Sequence, residues 1–145
     1  MDVKELMRAD VLTVDEQMPV GQLLDLMTAA HVHSAPVIGA DGELIGIVSQ
    51  EDILVGGLGG GSSDEAADLI VSDIMTSPAM GVSESVAPLD VARMMWRFHI
   101  HHVPVIDTEN RVIGIVSSLD FCRVLAEHGP SVLENDRGRK ASEDD

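Results

Sequence analysis

The residues best suited to chemistry in this sequence form two Ser-x-x-Asp motifs, Ser49-x-x-Asp52 and Ser117-x-x-Asp120. Each motif supplies a hydroxyl and, three residues later, a carboxylate. A carboxylate can accept hydrogen bonds from both hydroxyls of a ribose, and free N–H groups at a helix start add affinity for an anion. The same spacing also forms an ordinary capping box, which needs no ligand. From the motifs alone, capping and ligand binding both stay open, and the two roles are compatible.

The two motifs belong to an internal repeat with an offset of 68 residues. When residues 3–54 are laid over residues 71–122 without a gap, 16 of the 52 pairs are identical, whereas ordinary residue frequencies would give roughly three. A repeat of this strength indicates a duplicated structural unit. We therefore predict a first copy at 1–55, a Gly-rich loop and linker helix at 56–69, a second copy at 70–128, and a mobile acidic tail at 129–145.

The elements of each copy follow from hydrophobic periodicity and turn signals. Apolar residues at i, i+3, i+4 and i+7 from Val20 predict an amphipathic helix. Two runs rich in β-branched residues, 35–38 and 44–48, predict a strand pair because Asp41-Gly42 between them is a strong turn signal. The Ser-x-x-Asp motif then opens a closing helix. These patterns predict a mixed α/β fold.

Composition and charge argue against several classes of partner. The 145 residues carry 9 Lys and Arg against 25 Asp and Glu, for a formal charge of −16, which repels nucleic acids and anionic membranes. There is no signal-like start and no run of about 18 apolar residues, so we expect a cytoplasmic protein that binds neither nucleic acid nor membrane. The single Cys122 is expected to be a small buried residue near a helix end.

Catalytic patterns do not occur in the sequence. There is no P-loop, no nucleophile elbow and no Cys–His pair at a useful spacing. The two motif aspartates, Asp52 and Asp120, lie 68 residues apart in equivalent places, so they do not form one acid–base pair. The sequence therefore predicts a protein that is not an enzyme.

The repeated segments resemble a pair of cystathionine β-synthase (CBS) domains, the regulatory module also called a Bateman module. The resemblance covers residues 1–128. It rests on His-Val-His-Ser-Ala-Pro-Val-Ile at 31–38, His-Ile-His-His-Val-Pro-Val-Ile at 99–106, and Gly-Ile-Val-Ser-x-x-Asp at 46–52 and 114–120. It implies two β-α-β-β-α repeats related by a pseudo-twofold axis, with two related clefts that commonly bind AMP, ADP, ATP or S-adenosylmethionine. No catalysis and no obligatory cofactor are implied.

The resemblance favours ligand binding over capping alone, and it assigns matching residues of the two copies to the site. The expected contacts for adenosine, ribose and phosphate lie in the early strand, around the Pro-Val-Ile strand and in the Ser-x-x-Asp motif: Thr13, His33, Ser34, Pro36, Ser49, Asp52, Val82, His101, His102, Pro104, Ser117 and Asp120. The residue two before the proline is often Arg in the family, but here it is Ser34 or His102, which weakens the expected hold on a phosphate.

The two clefts are predicted to differ in charge. No Lys or Arg lies between Arg8 and Arg93, whereas fourteen Asp and Glu do. We therefore expect that any bound phosphate is held mainly by side chains of the second copy, whose available partners are Arg93, Arg97, His99, His101, His102, Arg111 and Arg123.

Two further hypotheses concern metals. His31 with His33, and His99 with His101, would share one face of an extended segment and could begin a transition-metal site. No Asp, Glu or Cys beside them completes a ligand set, so no such site is predicted. Mg²⁺ stays open as a ligand, either with ATP or on the acidic surface.

The helix that carries Trp96 has more apolar residues than one core can cover, namely Met94, Met95, Trp96 and Phe98. An exposed apolar patch of this kind predicts a homodimer. The regulated partner would be a separate enzyme or transporter. The alternative function is a ligand-free dimerisation or scaffold module.

Overall fold

The computed structural model describes residues 1–58 and 68–131, which form two three-stranded sheets with packed helices. The first copy contains α1 (Val3–Leu6), β1 (Val14–Asp15), α2 (Val20–Ala30), β2 (Ser34–Ile38), β3 (Leu44–Ser49) and α3 (Gln50–Asp52), which continues as a π-helix over Ile53–Leu58. The second contains α4 (Val71–Ile74), β4 (Val82–Ser83), α5 (Pro88–Phe98), β5 (His102–Ile106), β6 (Val112–Ser117) and α6 (Ser118–His128). The mixed α/β class with two β-α-β-β-α repeats is confirmed. Within the predicted Gly-rich loop and linker helix at 56–69, residues 59–67 lie outside the described residues, as does the predicted acidic tail from residue 132.

Each sheet has the same strand order, β1-β2-β3 in the first copy and β4-β5-β6 in the second. The central strand pairs in parallel with the short early strand. In the first copy, β2 pairs antiparallel with β3 and places Ser34 opposite Ser49. The turn between these strands contains Gly42 at φ +82°, a conformation that glycine adopts without a steric penalty. The turn predicted from Asp41-Gly42 is therefore confirmed.

The helices form because their apolar residues fall on one stripe. In α2 the buried residues are Val20, Leu23 and Met27, at the i, i+3 and i+7 positions predicted for a core-facing stripe. In α5 the first residue is Pro88, whose fixed φ suits the start of a helix. Both helices end at a histidine in the left-handed conformation, His31 and His99, and this residue turns the chain toward the next strand.

The first short helix of each copy, α1 or α4, packs in the compact unit formed by the rest of the other copy. The first-copy unit comprises Asp10–Met80 with Glu109–Val112, and the second-copy unit comprises Met1–Ala9, Gly81–Thr108 and the chain from Ile113. Accordingly, Val3 and Leu6 of α1 are buried in the core that contains the β5 and β6 valines, and Val71 of α4 is buried in the core that contains β2 and β3. Residue 8 therefore belongs to the second-copy unit, although it lies in the first copy of the sequence.

Two local expectations are wrong. Cys122 is exposed, because the buried side of α6 is formed by Asp120, Phe121 and Val124. The histidine pairs do not share a face of an extended segment, because His31 has φ 56° and caps α2. Among the described residues there is no group of three or more His, Cys, Asp or Glu that could hold a metal ion. No helix in residues 1–58 and 68–131 is long and apolar enough to cross a membrane.

Candidate functional site

The first-copy motif forms a closed capping box at the end of β3. The backbone N–H of Ser49 donates to Oδ2 of Asp52 at 2.8 Å, and the N–H of Asp52 donates to Oγ of Ser49 at 3.2 Å. These two bonds hold the Asp52 carboxylate in one orientation, while its side chain stays partly accessible. The capping hypothesis is thus confirmed, and the capping bonds leave Oδ1 of Asp52 available as an acceptor.

The sheet brings three of the predicted first-copy residues to one face. Ala35, Val37 and Val48 belong to the core, and side chains alternate between the two faces along a strand. Ser34 and Pro36 on β2, and Ser49 on β3, therefore lie on the opposite face, with Ser34 directly across from Ser49. Thr13 immediately precedes β1, which pairs with β2.

Ser34 is the most unusual polar residue of this set. Its exposed fraction is 6%, and its Oγ has no hydrogen-bond partner among the described residues. Buried hydroxyl groups are nearly always hydrogen-bonded, because leaving one unpaired costs about 1–3 kcal/mol. The unpaired Oγ of Ser34 is therefore a hydrogen-bonding position that a ligand could fill.

The second-copy motif repeats this geometry with one additional bond. The N–H of Ser117 donates to Oδ2 of Asp120 at 2.8 Å, and the N–H of Asp120 donates to Oγ of Ser117 at 3.3 Å. The Ser117 hydroxyl also donates to Oδ2 of Asp120 at 3.0 Å. His102 and Pro104 lie on the β5 face opposite the core valines Val103 and Val105.

The two motif carboxylates differ in burial and in their charged neighbours. Asp120 is 1% exposed, and Nε of Arg8 donates to its Oδ1 at 3.2 Å. A second guanidinium, that of Arg123, lies 3.9 Å from the same oxygen. Within the described part of the chain no ion pair involves Asp52. The positions equivalent to Arg8 and Arg123 in the repeat are Thr76 and Val55, which explains the difference.

Reasoning from the sequence missed Arg8, because it lies 112 residues before Asp120. Its backbone pairs with Ile115 through N–H···O bonds of 2.9 and 3.0 Å in the two directions, which places it at the edge of β6. Gly114 permits this approach, because a Cβ at that position would lie 3.0 Å from the carbonyl oxygen of Arg8. The repeated Ile-Gly-Ile sequence could have indicated this contact, because a glycine inside a strand often marks a place where another backbone segment approaches closely.

Three of the four predicted second-copy arginines have other neighbours or belong to the other unit. Arg93 pairs with Asp90 at 3.2 Å along α5, and the guanidinium of Arg97 lies 5.6 Å from the centre of the Phe98 ring. Arg111 belongs to the first-copy unit. Among the predicted arginines, and within the described residues, Arg123 is the one found beside the Ser-x-x-Asp motif.

His33 and His101 line a second feature, a pair of equivalent hollows at the ends of α2 and α5. The first hollow measures about 280 Å³ and the second about 360 Å³. Their linings match position by position under the 68-residue offset: Leu24, Met27, Thr28, His31, Val32, His33, Gln50 and Ile53 in one, and Ala92, Met95, Trp96, His99, Ile100, His101, Ser118 and Phe121 in the other. Asp52 and Asp120 do not line them. Each hollow nevertheless includes a residue inside the Ser-x-x-Asp motif, Gln50 or Ser118, and Nδ1 of His33 lies 3.2 Å from the Gln50 amide oxygen.

Comparison with known proteins supports the class that the fold and the motifs define, a duplicated β-α-β-β-α pair with one Ser-x-x-Asp motif in each half. The profile of the CBS domain matches residues 3–56 and 71–127. The chain belongs to the CBS domain family.

Three proteins illustrate the relationship. The uncharacterised protein MJ0188 of Methanocaldococcus jannaschii is 32% identical over 138 residues, which cover 92% of this chain and 48% of that protein. The structure of CBSX2 from Arabidopsis thaliana in complex with AMP is similar with a TM-score of 0.76 and 25% identity, over 87% of this chain and 96% of CBSX2. The CBS domain pair of protein MJ0100, in complex with 5′-methylthioadenosine and S-adenosylmethionine, has a TM-score of 0.76 and 24% identity, over 87% of this chain and 96% of that one. The chain spans about half or less of the length of the first curated relatives it matches.

Proposed function

We propose that this CBS pair is a regulatory module that binds an adenosine-containing ligand and thereby regulates a separate partner protein, an enzyme or a transporter. The candidate ligands are AMP, ADP, ATP and S-adenosylmethionine. The module itself catalyses no reaction. The contacts are those assigned above, with Asp52 and Asp120 as the acceptors for ribose hydroxyls.

The observation that carries the proposal is the first-copy set of Ser34, Ser49 and Asp52. The capping bonds orient the Asp52 carboxylate before any ligand arrives, so little ordering is required on binding. The buried Oγ of Ser34, on the same sheet face as Ser49, lacks a partner that a ligand would supply. The AMP complex of CBSX2 and the S-adenosylmethionine complex of the MJ0100 pair support the ligand class.

Thermal melts with a panel of ligands test the proposal. AMP, ADP, ATP, adenosine, S-adenosylmethionine and Mg²⁺ are each added to the full chain. A true ligand stabilises by RT ln(1 + [L]/Kd), about 2.7 kcal/mol at a hundredfold excess over Kd. Stabilisation by Mg²⁺ alone would instead favour a magnesium-responsive module.

The Ser34→Ala variant makes the test specific to the site. Removal of an unpaired buried hydroxyl leaves the ligand-free stability unchanged or slightly higher. The same change weakens ligand binding, by about tenfold for the loss of one hydrogen bond of about 1.4 kcal/mol. Ser85→Ala is the control at an exposed serine outside the set, whose hydroxyl lies 3.1 Å from that of Ser83; it should leave the ligand affinity unchanged and alter the stability by no more than about 0.5 kcal/mol. Equal affinities in all three proteins would exclude Ser34 from the site.

A ligand-free dimerisation module is the second candidate, because the second-copy unit exposes large apolar side chains. Trp96 on α5 is 82% exposed, and Phe98, Leu119 and Leu125 are also exposed. Large exposed apolar side chains, aromatic ones above all, are enriched at protein interfaces, so we propose that the chain forms a homodimer. Melts that do not change with any ligand of the panel, together with a dimer mass by light scattering, would favour this second function.

A further inference from the structure

The carboxylate of Asp120 is already occupied in the ligand-free chain. Its Oδ2 accepts bonds from the N–H and the hydroxyl of Ser117, and its Oδ1 accepts from Nε of Arg8. A carboxylate offers about four acceptor positions, and the side chain is 1% exposed. Three of these positions are thus filled before a ligand arrives, and a ribose hydroxyl that bonds to Oδ1 in the place of Arg8 has to displace the guanidinium.

The equivalent carboxylate of the first copy carries no such obstacle. Asp52 is more accessible than Asp120, and the residues that correspond to Arg8 and Arg123 are Thr76 and Val55. Thr76 has the same backbone role as Arg8, since it pairs with Ile47 through bonds of 2.9 and 3.0 Å. The two copies thus have the same backbone pairing at this position. Only the second copy has a charged side chain there, that of Arg8.

Arg8 can release Asp120 without disturbing the fold. Its backbone is held by Ile115, whereas its side chain is 58% exposed, so the guanidinium can turn about its own bonds. A released guanidinium is a strong donor to phosphate oxygens. A phosphorylated ligand can therefore offer Arg8 a new anion in exchange for Asp120, whereas an uncharged nucleoside cannot.

From this exchange we propose that Arg8 determines ligand specificity. It makes the second copy select nucleosides that carry a phosphate, while the first copy accepts nucleosides without one. The inference rests on the proposed function, because it assumes that both aspartates receive a ribose. It adds to that function a division of ligand classes between the two copies, and a selecting residue that lies outside the Ser-x-x-Asp motif.

The test measures AMP and adenosine binding by isothermal titration calorimetry, with the full chain carrying Asp52→Ala so that the second copy is observed. We expect tighter binding of AMP than of adenosine. Adding Arg8→Ala should weaken the affinity for AMP about tenfold, since one exposed charge-assisted bond is lost. The affinity for adenosine should stay the same or increase, because the guanidinium no longer occupies Asp120. Thr76→Ala is the matched control at the equivalent position of the other copy and changes neither affinity.

Two further variants keep the test decisive if Arg8→Ala fails to fold. Arg8→Gln retains an N–H donor for Asp120 but removes the charge, and it should lose the preference for AMP. Thr76→Arg in an Asp120→Ala background should create that preference in the first copy. If Arg8→Gln leaves the AMP-to-adenosine affinity ratio unchanged, the inference is overturned but the proposed function is not. If the unmodified chain binds neither AMP nor adenosine, the inference is overturned, and if it binds no ligand of the panel, the proposed function is overturned as well.

Discussion

Replacing each motif aspartate by alanine should destabilise the two copies to different extents. The capping boxes are alike, with Ser N–H to Oδ2 distances of 2.8 Å in both and return bonds of 3.2 and 3.3 Å. Loss of one capping box costs about 1 kcal/mol. For Asp52→Ala, where the carboxylate is partly accessible and has no ion pair among the described residues, we expect a loss of about this size in the free energy of unfolding.

Asp120→Ala removes more stabilising interactions than Asp52→Ala does. It abolishes the additional bond from the Ser117 hydroxyl and the 3.2 Å contact with Arg8. Between buried partners a bond to a charged group contributes about 1.5–3 kcal/mol, but Arg8 is more than half exposed, so solvent screening reduces its share to about 1 kcal/mol or less. The expected total for Asp120→Ala is about 2–3 kcal/mol.

Urea unfolding followed by circular dichroism measures both losses, and thermal melts check them. With about 3 °C per kcal/mol for a chain of this size, Tm should fall by about 3 °C for Asp52→Ala and by about 6–9 °C for Asp120→Ala. High salt should narrow the gap, because it screens the exposed side of the ion pair. Equal destabilisation by the two variants would refute the reasoning that burial and the two guanidiniums distinguish the copies.

Three other outcomes are expected. Gly114→Ala should lower the free energy of unfolding, measured in urea, by about 1–3 kcal/mol, because the added Cβ would lie 3.0 Å from the Arg8 carbonyl oxygen. An unchanged free energy of unfolding would contradict a close contact between Arg8 and β6. Gly21→Ala, in α2 with nothing within 4 Å of the added Cβ, should raise stability by up to about 1 kcal/mol, and a loss would contradict the helical geometry there. Trp96→Ser with Leu119→Ser should shift the mass from dimer to monomer in light scattering, and an unchanged dimer would place the interface elsewhere.

The candidate site could be predicted from the sequence where its signals are local. The three-residue spacing of Ser49 with Asp52, and of Ser117 with Asp120, predicts capping boxes, and the bonds are present. The distribution of Lys and Arg also predicts that the copies differ in charge. It does not identify the residue that produces the difference at Asp120, because Arg8 occurs in the first copy of the sequence.

By itself the sequence determined the duplication, the order of helices and strands, the turn at Gly42 and the two capping boxes. All of these depend on short-range periodicity and on the conformational preferences of single residues, and such preferences act within a few positions of the chain. The 68-residue offset then carried each assignment from one copy to the other.

Only the tertiary structure decided which copy each short first helix joins, which residues approach Asp120, and which side of α6 is buried. The pairing of Arg8 with Ile115 joins residues more than a hundred positions apart, and nothing in the local pattern specifies the partner of an isolated extended residue. The exposure of Cys122 has the same origin, because an apolar residue near a helix end is buried only if another element covers it.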